Sequence, residues 1–164
     1  MSCLGLGSVK YLGTVLDRGL RWGPAISFRI GKANAALKTL YPLINRKSLL
    51  NTNFKLLLYK ICARTTLLYA APIWATAAHC HLDKVQRVQN KFLRIILNSP
   101  PRTRISELHS EANMQYVSEF IAGLVERAYD PEHENPLISK LGDYDASQLP
   151  FRRIKCRLPR SFLL

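Results

Sequence analysis

A chain of 164 residues is long enough for one domain with a buried core. Its 48% apolar and 21% charged residues exclude wholesale disorder, its eight glycines exclude a collagen-like repeat, and four cysteines without short spacing exclude a disulfide scaffold. Twenty-four Lys and Arg against eleven Asp and Glu give a net charge of +13, which attracts phosphate polyanions or anionic surfaces.

The charge is placed unevenly. Residues 1–82 carry eleven cations and one acid, Asp17, and residues 83–104 carry six cations against Asp83. Residues 105–149 reverse the sign, with nine acids against Arg127 and Lys140. Residues 150–164 return to positive through Arg152, Arg153, Lys155, Arg157 and Arg160. A basic part that faces nucleic acid, joined to a part that does not, fits this asymmetry.

The N-terminus, MSCLGLGSVKYLG, lacks the charged segment that opens a secretory signal. Cys3, Cys62, Cys80 and Cys156 are therefore expected as reduced thiols inside the cell, with nothing to separate nucleus from cytoplasm. Residues 8–22 predict a β-hairpin, because Val9, Tyr11, Val15 and Leu16 favour strands and Asp17-Arg18-Gly19 is a turn signal. Gly13 within it suggests a bulge or a close backbone approach.

Gly23-Pro24 opens a helix, with Ile26, Ile30, Ala33, Leu37 and Leu40 on one face and Arg29 and Lys32 off it. Pro42 is expected to stop or kink it, and Asn45-Arg46-Lys47-Ser48 reads as a basic loop. Asn51 or Asn53 caps the next helix, whose stripe is Phe54, Leu57, Leu58, Ile61, Thr65 and Leu68. Leu56, Ala63 and Leu67 are apolar on its far side, which predicts a helix in the middle of a bundle, ended at Pro72. This is the most apolar window, yet it holds Lys55, Lys60 and Arg64. A cation at the centre of a membrane span costs about 2.5–3.5 kcal/mol, so no membrane partner is expected.

Residues 82–97 form the clearest helix. Leu82, Val85, Val88, Phe92, Leu93 and Ile96 share one broad face, and Lys84, Arg87, Lys91 and Arg94 share the opposite one. Like charges at this spacing repel, which costs stability unless a polyanion compensates; the plain alternative is a solvated face. Pro100-Pro101 ends the helix. A short helix is expected over 104–111, and another over 115–129 with Val117, Phe120, Ile121, Leu124 and Ala128 inward. Residues 130–149 read as an acidic, broken segment and 150–164 as a basic tail.

Catalytic signatures are absent. His79, Cys80 and His81 are adjacent, whereas structural zinc sites need paired ligands one turn apart; a polar loop before the helix is the better reading. There is no G-x-S-x-G, no catalytic cysteine context and no Gly-rich phosphate loop. Two-metal phosphoryl transfer needs clustered acids, but Asp17 stands alone and Glu107, Glu111, Glu119 and Glu126 read as solvated faces.

Several stretches together carry a family likeness. Val9-Lys10-Tyr11-Leu12-Gly13 is followed by Leu16-Asp17-Arg18, Leu20 and Trp22, then Leu56-Leu57-Leu58-Tyr59-Lys60 and Tyr69-Ala70-Ala71-Pro72-Ile73-Trp74. The strongest stretch runs from Val85 through Ile96, then Asn98-Ser99-Pro100, with Leu108-His109 and Asn135-Pro136-Leu137 beyond. In this order, over residues 8–141, the chain resembles the C-terminal, thumb-side part of reverse transcriptases from jockey-type non-LTR retrotransposons.

The resemblance implies a mostly α fold, a helical thumb-like bundle with a short N-terminal β-hairpin. It divides the chain into a palm-closing hairpin (1–22), a basic bundle (23–104), an acidic helical extension (105–149) and a basic tail (150–164). It also implies an RNA-directed DNA polymerase that works with magnesium held by palm aspartates. Their Phe/Tyr-x-Asp-Asp core is missing here, and Asp143-Tyr144-Asp145 has neither its pattern nor its position. No catalytic or metal residue is therefore assigned, and no polymerase activity is expected from this chain alone.

The expected partner is a template–primer duplex of RNA or DNA, with the palm and fingers of the same polyprotein as a further partner. The expected contacts are Lys10, Tyr11 and Gly13 on the hairpin, Arg46 and Lys47 in the basic loop, and Lys84, Arg87, Lys91 and Arg94 on the helix. A truncated reading frame with an arbitrary start at Met1 is the accompanying expectation. Two rivals stay open: a stand-alone helical nucleic-acid-binding protein, and a protein-interaction module that docks on a nucleoprotein.

Overall fold

The computed structural model of the chain describes residues 8–128, 135 and 136. Two antiparallel strands, β1 (Ser8–Tyr11) and β2 (Thr14–Asp17), open it. Helix α1 (Gly23–Ile44) follows. Helix α2 is continuous through Thr52–Leu58, a π-helical turn at Tyr59–Arg64, and Thr65–Leu67. The short α3 (Ala71–Trp74) leads to α4 (His79–Leu97), then α5 (Ile105–Glu111) and α6 (Val117–Ala128). The fold is mostly α with an N-terminal hairpin. The sequence expectations for residues 129–134 and 137–164, the basic tail included, lie outside the described residues.

The hairpin turns earlier than Asp17-Arg18-Gly19. Tyr11 pairs with Thr14, so Leu12 and Gly13 form a two-residue turn. Both have positive φ, 43° and 77°, which matches the right-handed twist of the strands. Gly13 thus serves the turn itself, where a side chain would be strained, rather than a bulge. Asp17 has a different task. Its carboxylate accepts hydrogen bonds from the backbone N–H of Arg21 and Trp22, both at 2.9 Å, and steers the chain into α1. Burial opposes its charge, but these donors outweigh burial and hold its carboxyl below the ordinary value.

Helix α1 buries Ile26, Ala33 and Leu37, with Ile30 and Leu40 packed at the margin, as its period predicts. Pro42 neither stops nor breaks it. The helix continues to Ile44, because a proline in the last turn forfeits one hydrogen bond and Asn45 N–H still reaches the Tyr41 carbonyl at 3.0 Å. Asn51 caps α2, its side chain accepting from Asn53 N–H.

Only one side of α2 enters the core, where the sequence predicts a helix enclosed on both sides. Leu56, Tyr59, Ala63 and Leu67 are buried, while Phe54, Leu57 and Ile61 are 61%, 48% and 59% exposed. Helix α2 lies on the rim of the bundle rather than in its middle. Leu68, expected on the same stripe as Phe54, is buried, because the wider π-helical turn rotates the residues after it.

Helix α4 is the central element. It packs against α1, α2, α5 and α6. Phe92 and Leu93 are fully buried, with the Tyr59 ring 5.1 Å from that of Phe92. His79, Cys80 and His81 form its first turn and not a loop before it. The core continues through Leu108, Val117, Ile121 and Val125, so α5 and α6 share one core with the basic helices.

Candidate nucleic-acid interface

The interface begins with what holds α4 in place. Its apolar face is enclosed, and polar residues on its flank bind the following segment. Gln86 Oε1 accepts from Val117 N–H at 2.8 Å, and Gln89 Nε2 donates to the Gln115 carbonyl at 2.9 Å. The buried His109 ring has Nε2 2.9 Å from Asn90 Oδ1 and Nδ1 2.9 Å from the Met114 carbonyl, and it stacks on Tyr116. Buried amides with partners fix one arrangement of a helix against its neighbours. The opposite face is therefore presented by a rigid element.

On that face Lys84, Arg87 and Lys91 are exposed. Their spacing of three and four puts successive Cβ atoms about 5–6 Å apart. Arg94 belongs to them in sequence but not in role. Its guanidinium donates to the Pro100 carbonyl at 2.9 Å and the Thr103 carbonyl at 3.0 Å, and so folds the Pro100–Thr103 loop back on the helix. Four cations reduce to three that point outward freely. Asp83, exposed one turn before Arg87, adds an acid at the edge of the stripe.

The hairpin contributes a second basic surface. Lys10 and Lys32 are exposed, on β1 and α1, yet both ammonium groups approach the Phe28 ring, at 5.5 and 5.7 Å from its centroid. Tyr11 beside them is 63% exposed. The Gly13 carbonyl is engaged within the fold, accepting from Arg29 Nη2 at 2.7 Å. Arg29, expected off the buried face, is buried instead. Its guanidinium lies 4.2 Å from the Tyr69 ring centroid, and Tyr69 OH donates to the Leu12 carbonyl. Desolvation lowers the Arg29 pKa, and its contacts with Gly13 and Tyr69 offset that cost. The turn is thus tied to α1 and to the exit of α2.

Arg46 and Lys47 are exposed in the loop after α1. Lys55 holds that loop, its buried Nζ donating to the carbonyls of Asn45 and Ser48. The expected contacts therefore stand on three separate elements: hairpin, loop and α4. Sequence reasoning missed Phe28, Arg29, Lys32, Lys55 and Tyr69. The available signal was weak: cations at the margins of apolar stripes, where long side chains reach back to carbonyls and rings.

The chain is 31% identical over 148 residues to a probable RNA-directed DNA polymerase from transposon BS of Drosophila melanogaster, covering 89% of the chain and 16% of that protein. The chain is a homologue of the RNA-directed DNA polymerases of jockey and related non-LTR transposons. A probable polymerase from transposon X-element of Drosophila melanogaster is 29% identical over 158 residues, covering 95% of the chain and 17% of that protein. A polymerase from mobile element jockey of Drosophila funebris is 27% identical over 154 residues, covering 92% of the chain and 17% of that protein. The chain spans about a sixth of the length of these polymerases. No family model matches the chain. No solved structure matches it.

The polymerase family works with magnesium, and the described residues do not fit a metal pair. Among them no three His, Cys, Asp or Glu side chains are grouped to hold an ion, and both Asp17 oxygens accept backbone N–H groups. No described helix is long and apolar enough to cross a membrane.

Proposed function

We propose that this chain is a non-catalytic, thumb-like segment of a non-LTR retrotransposon polymerase and grips the backbone of the template–primer duplex. The observation that carries this reading is the outward stripe of Lys84, Arg87 and Lys91 on a core-anchored helix. Cations held on a rigid element contact phosphates with little ordering cost, and they carry no sequence information. The hairpin adds Lys10 and the exposed Tyr11 as duplex support, and Gly13 acts by shaping the turn. Arg46 and Lys47 add charge at the other end of α1.

The test is salt dependence. Binding of the chain to an RNA–DNA hybrid should weaken by about 0.7–0.9 log units per phosphate contact per log unit of salt. Changing Arg87 and Lys91 together to Gln should lower that slope by about one to two and leave the far-UV spectrum unchanged. An unchanged slope in a folded double variant would return the stripe to plain solvated surface. A primer-extension assay with magnesium tests the non-catalytic part: no templated extension is expected, because phosphoryl transfer needs acidic ligands for its metals.

A further inference from the structure

The outer face of α2 carries an inference that does not draw on the α4 stripe. Phe54, Leu57 and Ile61 recur at three and four residues, all about half exposed or more. They run about 10 Å along the helix at its ordinary rise. At Phe54 and Leu57 this face borders a groove, and Ile61 continues the stripe beyond it. Phe54, Leu56, Leu57 and Lys60 form one wall of a groove of about 370 Å³, and Ala112 and Asn113, in the connection from α5 to α6, form the other. We propose that this groove docks an amphipathic helix bearing acidic side chains beside its apolar face.

Charge decides the occupant. No Asp or Glu occurs from Arg18 through Leu82. Among the described residues Lys60 is the one charged side chain lining the groove, and Arg46 and Lys47 precede α2 in a loop that Lys55 pins against it. A second copy packed through this same face would bring the same cations together with no acid from this stretch to pair them. A nucleic-acid strand would satisfy the cations but not the stripe, since bases stack on aromatic faces and only Phe54 in it is aromatic. An acid-bearing helix satisfies both features: its apolar anchors fill the groove and its carboxylates meet Lys60 and the loop.

A displayed library of helical peptides, selected on the full chain and counter-selected on Leu57→Gln/Ile61→Gln, tests the proposal. Enriched sequences should combine apolar residues at helical spacing with Asp or Glu. A synthetic peptide of such a sequence should lose at least about tenfold in affinity for the double variant, as buried anchors of an interface do. Lys60→Glu should weaken it, and exchanging the facing acid for Lys should restore it. The double variant should keep its far-UV spectrum and its binding to the RNA–DNA hybrid, which separates this groove from the α4 stripe; Leu57→Ala serves if Gln disturbs folding. Absence of enrichment, enriched peptides without acids, or affinity indifferent to Leu57 and Ile61 would overturn the proposal. Dimerisation in sedimentation, or capture by anionic vesicles, abolished by the double variant would also overturn it.

Discussion

Helix α4 turns Leu82, Val85, Val88, Phe92, Leu93 and Ile96 inward and its cations outward, whereas α2 buries Leu56, Tyr59, Ala63 and Leu67 and leaves Phe54, Leu57 and Ile61 outside. The two helices are neighbours in the same bundle. In α4 only one orientation hides the apolar residues and hydrates the charges, so burial decides it. In α2 the apolar residues are spread round the axis, and turning the helix merely exchanges one apolar face for another. Shape then decides. The small Ala63 is fully buried on the packed side of α2, and the Tyr59 ring fits beside Phe92. Apolar content and apolar orientation are separate quantities, and a helix can be rich in the first while leaving the second undetermined.

The strongest way to break this contrast is a matched pair of truncations. Phe92→Ala should cost about 3–5 kcal/mol in urea unfolding, because it leaves a cavity in the core. Phe54→Ala should cost under about 1 kcal/mol, because its ring is largely exposed. Comparable losses would mean that the outer face of α2 is covered in solution.

The outward side of α4 can be sharpened next. Arg94→Gln should lower stability by about 1 kcal/mol, by releasing the Pro100 and Thr103 carbonyls. It should change the salt slope of binding less than Arg87→Gln does. The reverse order would make Arg94 a phosphate contact after all.

The smallest effect concerns the inward side of α2. Tyr59 is buried, and among the described residues neither its hydroxyl nor Arg64 Nε has a hydrogen-bond partner. Burial pushes the Tyr59 hydroxyl pKa up and that of Arg64 down, while each attracts the other's charged form. Tyr59→Phe should therefore be neutral or stabilising by up to about 1 kcal/mol, since an unsatisfied buried hydroxyl is a cost. Destabilisation beyond that would assign the hydroxyl a partner.

Much of this molecule follows from its sequence alone. The hairpin, the starts of α1 and α2, the inward face of α4, its outward cations and the likeness to jockey-type polymerases are all legible there. Each rests on local chemistry: side chains three or four apart, proline and asparagine at helix starts, β-branched residues in strands. Tertiary structure decided the rest. Arg29 leaves the solvent because the Gly13 carbonyl and the Tyr69 ring arrive beside it from other parts of the chain. Arg94 leaves the outward stripe because the loop after the helix returns to meet it. The exposed stripe of α2 has the same origin, since only packing chooses between two apolar faces. Periodicity reports how a helix divides oil from water; it does not report which long side chain will find a carbonyl or a ring across the fold.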